Sequence, residues 1–173
     1  MNNKKEKIGI LGGSFDPAHK GHLTISQVAA KKLNLKKVVW AITKKNPLKK
    51  NNATNHQTRI SQCKKFVKQK KFIKVKYYEK IIKSNKTIDL VNHLTKKNKF
   101  DIYFIMGADN LINFHKWHKW EKISQKCKII VFDRHGYKKK SLNSMTFKRL
   151  NNTNLKFIEF NKVNISSSKL RKI

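Results

Sequence analysis

Two histidines three residues apart, His19 and His22, follow a glycine-rich turn in the run Gly12-Gly13-Ser14-Phe15-Asp16-Pro17-Ala18-His19-Lys20-Gly21-His22-Leu23. Imidazoles at i and i+3 lie on one helix face, so both can donate hydrogen bonds to a single phosphate chain. Gly12 and Gly13 lack a Cβ, which lets a ligand come close to the backbone. A helix start at this point adds N–H groups and the positive end of a dipole, an anion-binding arrangement. Gly21 leaves room for a nucleotide against the helix. The glycines fall neither as a Walker loop, GxxxxGK[ST], nor as a dinucleotide fingerprint, GxGxxG. The histidine pair has no evident third ligand nearby, so no metal site is expected. Taken alone, Asp16 before Pro17 suits a turn or a cap, and Phe15 suits loop packing as well as base stacking.

These residues need elements to hold them. Apolar runs alternate with helical patterns along the whole chain. Residues 7–11 are predicted as a strand closed by Gly12-Gly13. Residues 19–33 carry a helical stripe at Leu23, Val28, Ala29, Ala30 and Leu33. A strand over 37–43 precedes a Lys/Asn loop around Asn46-Pro47, and a helix over 55–69 puts Ile60, Cys63, Phe66 and Val67 on one face. Residues 72–78 alternate as a strand, and 87–98 read as a helix that Thr87 could cap. Strands over 100–106 and 128–133 flank a helix over 120–125, and 155–160 is a short last strand. The alternation predicts one α/β domain over residues 1–173, Rossmann-like, with a mainly parallel sheet and helices on both faces. In such a sheet ligands bind at the carboxyl ends of the strands. The site is therefore expected in the loops after Leu11, Thr43, Met106 and Asp133.

Composition narrows the classes. With 173 residues and 38% hydrophobic side chains the chain can bury one core. Runs such as 8–11 and 129–132 are too short to cross a bilayer, and the Lys-rich start lacks the apolar region of a signal peptide. Cys63 and Cys127 lack CxxC spacing, so no disulfide framework or zinc site is indicated. A soluble cytoplasmic domain without a membrane partner is expected. The formal charge is +33, yet Arg occurs four times, so 38 of the 42 basic residues are Lys, while Asn and Ile each occur 18 times. Lys, Asn and Ile are residues of A/T-rich codons, so codon bias could produce this surface without selection for a partner, as could a gain in capturing phosphate substrates. No GxxG clamp, helix-turn-helix or aromatic-studded sheet face accompanies the charge, which disfavours nucleic acid as a partner.

Taken together, Gly13-Ser14-Phe15-Asp16-Pro17-Ala18-His19-Lys20-Gly21-His22 resembles the GxFxPxHxGH signature of the nucleotidyltransferase superfamily. That resemblance implies a second phosphate motif, ISSxxxR, and Ile165-Ser166-Ser167-Ser168-Lys169-Leu170-Arg171 matches its spacing. There, Ser hydroxyls would cap a helix while amides and Arg171 face an anion. Within the superfamily the chain is most similar to bacterial nicotinate-nucleotide adenylyltransferases, over residues 8–171. The run from Ile105-Met106-Gly107-Ala108-Asp109 to Phe114-His115-Lys116-Trp117 resembles that family's IxGxDxL…F..W segment. The resemblance places Asp109 on a ribose hydroxyl, Trp117 on the pyridine ring, and Thr87 near the nicotinate carboxylate. It places Arg134, in Asp133-Arg134-His135-Gly136-Tyr137, near adenine; His135 stands where Pro is common. The family loop NxxPPHK is here Lys45-Asn46-Pro47-Leu48-Lys49, with Lys49 standing in for the missing His. The chain ends two residues after Arg171, short of the family's longer tail.

What the resemblance implies is adenylyl transfer from ATP to nicotinate mononucleotide, giving nicotinic acid adenine dinucleotide and pyrophosphate for NAD biosynthesis. His19, His22 and Arg171 would stabilise the phosphates; Gly12, Gly13, Ser14, Phe15, Gly107, Arg134, Ser166 and Ser167 would complete the ATP site. Asp16, Asn46, Lys49, Thr87, Asp109 and Trp117 would hold the mononucleotide. Mg²⁺ would ride on the ATP phosphates. A homo-oligomer is compatible with the pattern. The runner-up is an adenylyltransferase for 4′-phosphopantetheine or nicotinamide mononucleotide, and a basic RNA-binding module is the alternative from another class.

Overall fold

The computed structural model describes residues 5–45, 54–97 and 99–159. Their strands are β1 (Glu6–Gly13), β2 (Lys37–Ile42), β3 (Ile73–Lys76), β4 (Phe100–Gly107), β5 (Lys128–Phe132) and β6 (Leu155–Ile158). All pair in parallel, in the order β3-β2-β1-β4-β5-β6. Parallel strands covered on both faces need apolar side chains on both, which is why they stood out as short continuous hydrophobic runs. Alternate residues supply two cores. Ile8, Ile10, Val39, Phe104, Met106, Ile129 and Val131 face one way. Leu11, Val38, Trp40, Ile42, Ile105, Ile130 and Phe132 face the other.

Helices seal each face. On the second, α1 (Lys20–Leu33) contributes Ala29, and α2 (His56–Phe66) contributes Cys63. The first is covered from several elements: Ile88 and Val91 of α4 (Thr87–Thr95), Leu111 of α5 (Ala108–Asn113), Ile123 of α6 (Trp120–Lys126) and Leu150 of α8 (Met145–Leu150). The remaining short helices are α3 (Glu79–Ile82) and α7 (Lys138–Leu142). Strand order reverses at β1, with β2 and β3 laid down on one side and β4 to β6 on the other, so the loops after Gly13 and Gly107 splay apart and leave a crevice at their carboxyl ends.

Three expectations need correction. Thr87 does not cap α4: Lys86 is the cap residue without a side-chain cap bond, and Thr87 is the first helical residue. Ser84 organises that start instead, its Oγ accepting from Lys86 N (3.1 Å) and donating to Asp89 Oδ2 (2.6 Å). Phe66 shares the inward face of its helix but is less covered than expected: its ring stacks on Trp40 at 6.3 Å while 42% of it stays exposed. The centre of the buried stripe on α1 is Gly21, Ser26 and Ala29, with the larger Leu23, Val28 and Leu33 only partly covered. Small side chains there admit Trp40, whose Nε1 donates to Ser26 Oγ at 2.8 Å, while Ser26 Oγ donates to His22 O at 2.8 Å.

Candidate nucleotide site

The two histidines cap the helix they begin. His19 is the N-cap of α1, in extended conformation, and its Nδ1 accepts from Gly21 N at 3.1 Å. His22 Nδ1 in turn accepts from His19 N at 3.2 Å. This is a capping box written in imidazole, where Ser and Glu would be usual. Two of the amides expected to face an anion are thus taken by the rings. The exchange has a chemical consequence: a neutral imidazole that accepts at Nδ1 carries its proton on Nε2, so each ring presents an Nε2–H donor. The rings sit 3.8 Å apart between centroids, close enough to address one phosphate chain together.

Beneath them lies Phe15, held at φ +48 and only 1% exposed. Its ring stacks on Trp40 at 4.8 Å and meets His22 at 4.7 Å. The side chain is therefore the floor under His22. Ser14 and Asp16 are buried beside it, and Asp16 Oδ2 accepts from Thr54 N at 3.3 Å.

Across the Gly12-Gly13 turn, on the α4 side of the sheet, opens a cavity of about 380 Å³. Gly12, Gly13 and Thr43 form one wall, Thr87 and Leu90 of α4 another, and Trp117 a third. Gly12 points toward Phe104, and a Cβ there would stand 3.5 Å from that ring, taking up space at the cavity wall. Trp117 is fixed edge-on to Phe114 (5.2 Å) and Phe104 (6.0 Å). Thr43 Oγ1 and Trp117 Nε1 are buried with no hydrogen-bond partner among the described residues. Buried orphans of this kind cost stability unless something polar meets them, and both residues line the cavity, where a ligand would be in reach. Lys86 and Lys116 add positive charge at the lining, and burial raises the Tyr78 phenol above its ordinary pKa, keeping it a neutral hydroxyl.

Asp109 and Arg134 come together. Arg134 Nη1 pairs with Asp109 Oδ2, and the guanidinium also lies 5.8 Å from the Tyr137 ring centroid. The carboxylate folds back over Gly107, where an added Cβ would be 2.5 Å from Asp109 Oδ1 and would push the carboxylate aside. Gly107, Asp109 and Arg134 thus form one unit at the ends of β4 and β5. Neither cysteine belongs to the site: burial pushes both the Cys63 and Cys127 thiols up to about 12, which removes them as nucleophiles. Asn46, Lys49, Ser166, Ser167 and Arg171 lie outside the described residues.

The sequence is similar to known proteins along its length. The Cytidylyltransferase-like family pattern matches residues 10–173. A "Probable nicotinate-nucleotide adenylyltransferase" of Pelagibacter ubique is 62% identical over 173 residues, covering 100% of this chain and 96% of that one. The chain belongs to the nicotinate-nucleotide adenylyltransferase family. A relative of the same name from Bradyrhizobium is 35% identical over 139 residues, 80% of this chain and 72% of its own. Among solved structures, the Plasmodium falciparum nicotinic acid mononucleotide adenylyltransferase complexed with NaAD has the same fold, with a TM-score of 0.77 at 22% identity over 96% of this chain and 83% of that one.

Beyond the family signatures, three residues at the site escaped the sequence reading. Thr43 ends a strand prediction without any motif. Glu79 begins a four-residue helix too short for periodicity, and its Oε1 accepts from Lys44 N at 3.1 Å. Arg59 lay inside a predicted helix as one more basic residue. Its only signal was rarity, one of four Arg in a chain that otherwise uses Lys.

Proposed function

We infer that the protein transfers the adenylyl group of ATP to nicotinate mononucleotide, giving nicotinic acid adenine dinucleotide and pyrophosphate in NAD biosynthesis. The observation that carries this conclusion is the 62% identity to the Pelagibacter protein along the entire chain. The geometry is in keeping with it. A phosphate oxygen of the mononucleotide attacks the α-phosphorus of ATP in line; the bond from that phosphorus to the bridging oxygen breaks, and pyrophosphate leaves with its electron pair. The attacking phosphate is already ionised at neutral pH, so no protein nucleophile is required. What remains for the protein is alignment and charge stabilisation.

In this proposal the Nε2–H groups of His19 and His22 donate to the ATP phosphates, helped by Arg171 and by Ser166 and Ser167. Ser14 and the Gly12-Gly13 turn border the phosphates. The cavity takes the nicotinate half, with Trp117 against the pyridine ring, Thr87 at the carboxylate end, and Asp109 on a ribose hydroxyl once Arg134 yields it. Asp16, Asn46 and Lys49 complete that side, and Gly107 and Arg134 border adenine. Mg²⁺ arrives with ATP as part of the substrate and supplies charge neutralisation on the phosphates. Pyrophosphate release measured with nicotinate mononucleotide, nicotinamide mononucleotide and 4′-phosphopantetheine tests the assignment. Turnover with the first is expected to exceed the others; preference for either of the others would overturn it.

A further inference from the structure

Arg59 is 1% exposed, and its guanidinium is spent entirely on backbone carbonyls. Nη1 donates to Ser14 O and to Thr43 O (2.9 Å), Nη2 to Lys44 O (2.8 Å), and Nε to Thr54 O (3.0 Å). Those carbonyls belong to three separate stretches: the turn that leads to the histidines, the end of β2 at the cavity wall, and the approach to α2. The Thr43–Lys44 stretch is gripped from other directions as well, with Thr43 N donating to Gly13 O at 2.9 Å and Lys44 N to Glu79 Oε1 at 3.1 Å. Burial lowers the Arg59 pKa, and neighbouring Asp16 opposes the drop. A guanidinium stays protonated under such conditions and offers a planar fork of five donors. A lysine ammonium offers three donors from one point and cannot span these carbonyls. In a chain that uses 38 Lys and four Arg, that geometric demand explains why Arg stands here.

We propose that Arg59 is a positioning residue for the adenylyl transfer: it locks the histidine-bearing turn to the Thr43 wall of the cavity, so that the two substrates meet in line. The proposal rests on the reaction inferred above. Arg59 touches neither substrate; it fixes the separation between the two places that do. Displacements of about 1 Å between reacting groups are enough to cost about a hundredfold in rate.

The test is steady-state kinetics of Arg59→Lys together with equilibrium binding of nicotinate mononucleotide and of a non-hydrolysable ATP analogue, each alone, at a temperature well below the variant's melt. Wild-type turnover of ATP and nicotinate mononucleotide is the entry condition; its failure would strike the inferred reaction and not Arg59. The expected result is kcat down about tenfold to a hundredfold, with each separate Kd within about threefold of wild type. A kcat within threefold of wild type, with or without a lower melting temperature, would overturn the proposal and leave Arg59 a structural staple. Should Arg59→Lys fail to fold, Glu79→Ala releases Lys44 N from the opposite side. There kcat is expected to fall by threefold or more with the ATP-analogue Kd unchanged, and an unchanged kcat would overturn the proposal.

Discussion

The two sides of the β1 carboxyl end are built on opposite principles. On the α1 side the polar groups hold one another in place: the imidazoles cap their own helix through Nδ1, Phe15 and Trp40 stack beneath them, and Ser26 relays a hydrogen bond from Trp40 to His22 O. On the α4 side, at a cavity of about 380 Å³, Thr43 Oγ1 and Trp117 Nε1 are buried without partners among the described residues. Donors whose position must be right when charge develops are fixed by bonds within the protein, which avoids reorganisation during the reaction. A surface that recognises a substrate instead keeps polar atoms uncommitted until the ligand supplies the match. In the proposed reaction the first side would serve catalysis and the second selectivity.

That division breaks first at His22. His22→Ala should lower kcat by ~10²–10³-fold, the scale for one lost donor to the transition state. Circular dichroism and thermal melts should show the fold retained, and unchanged turnover would remove the ring from the chemistry. Trp117→Ala should raise the KM for nicotinate mononucleotide by about tenfold to a hundredfold, the worth of one ring stacked on an indole, with the KM for ATP left nearly unchanged. Equal increases for both substrates would show that the cavity does not separate them.

Ser26→Ala sharpens the packing half of the contrast. It leaves Trp40 Nε1 buried without an acceptor and should cost about 1–3 kcal/mol in a urea titration, while kcat well below the melt changes little. The smallest effect concerns the buried thiols. Burial raises both from 9.0 to about 12, so between those values the folded chain holds protons that the unfolded chain has lost. Their contribution is complete below pH 9 and is lost as pH rises from there toward 12. Urea midpoints measured on either side of pH 9 should therefore fall less in a Cys63→Ala/Cys127→Ala variant than in wild type.

The strands were legible because burial on two faces leaves no room for polar residues in runs such as 38–42. The short helices were not. Lys138–Leu142 is mostly lysine and carries no apolar period, and Met145–Leu150 is announced chiefly by Ser144, whose Oγ accepts from Phe147 N at 3.2 Å. At the site, the histidine pair was visible as a spacing, but its mutual capping was not, because imidazole rarely serves there. Trp117 and Thr87 were visible through family resemblance alone. Arg59 illustrates the limit of pattern reading: periodicity locates apolar faces, and a guanidinium buried against carbonyls leaves no trace in it.

The claim that one side of β1 handles the triphosphate and the other the nicotinate half is tested most directly by titrating nicotinate mononucleotide calorimetrically into Trp117→Ala and His22→Ala. The account predicts a loss of about tenfold or more in affinity for Trp117→Ala and an affinity close to wild type for His22→Ala. Equal losses in the two variants, or a loss confined to His22→Ala, would contradict it.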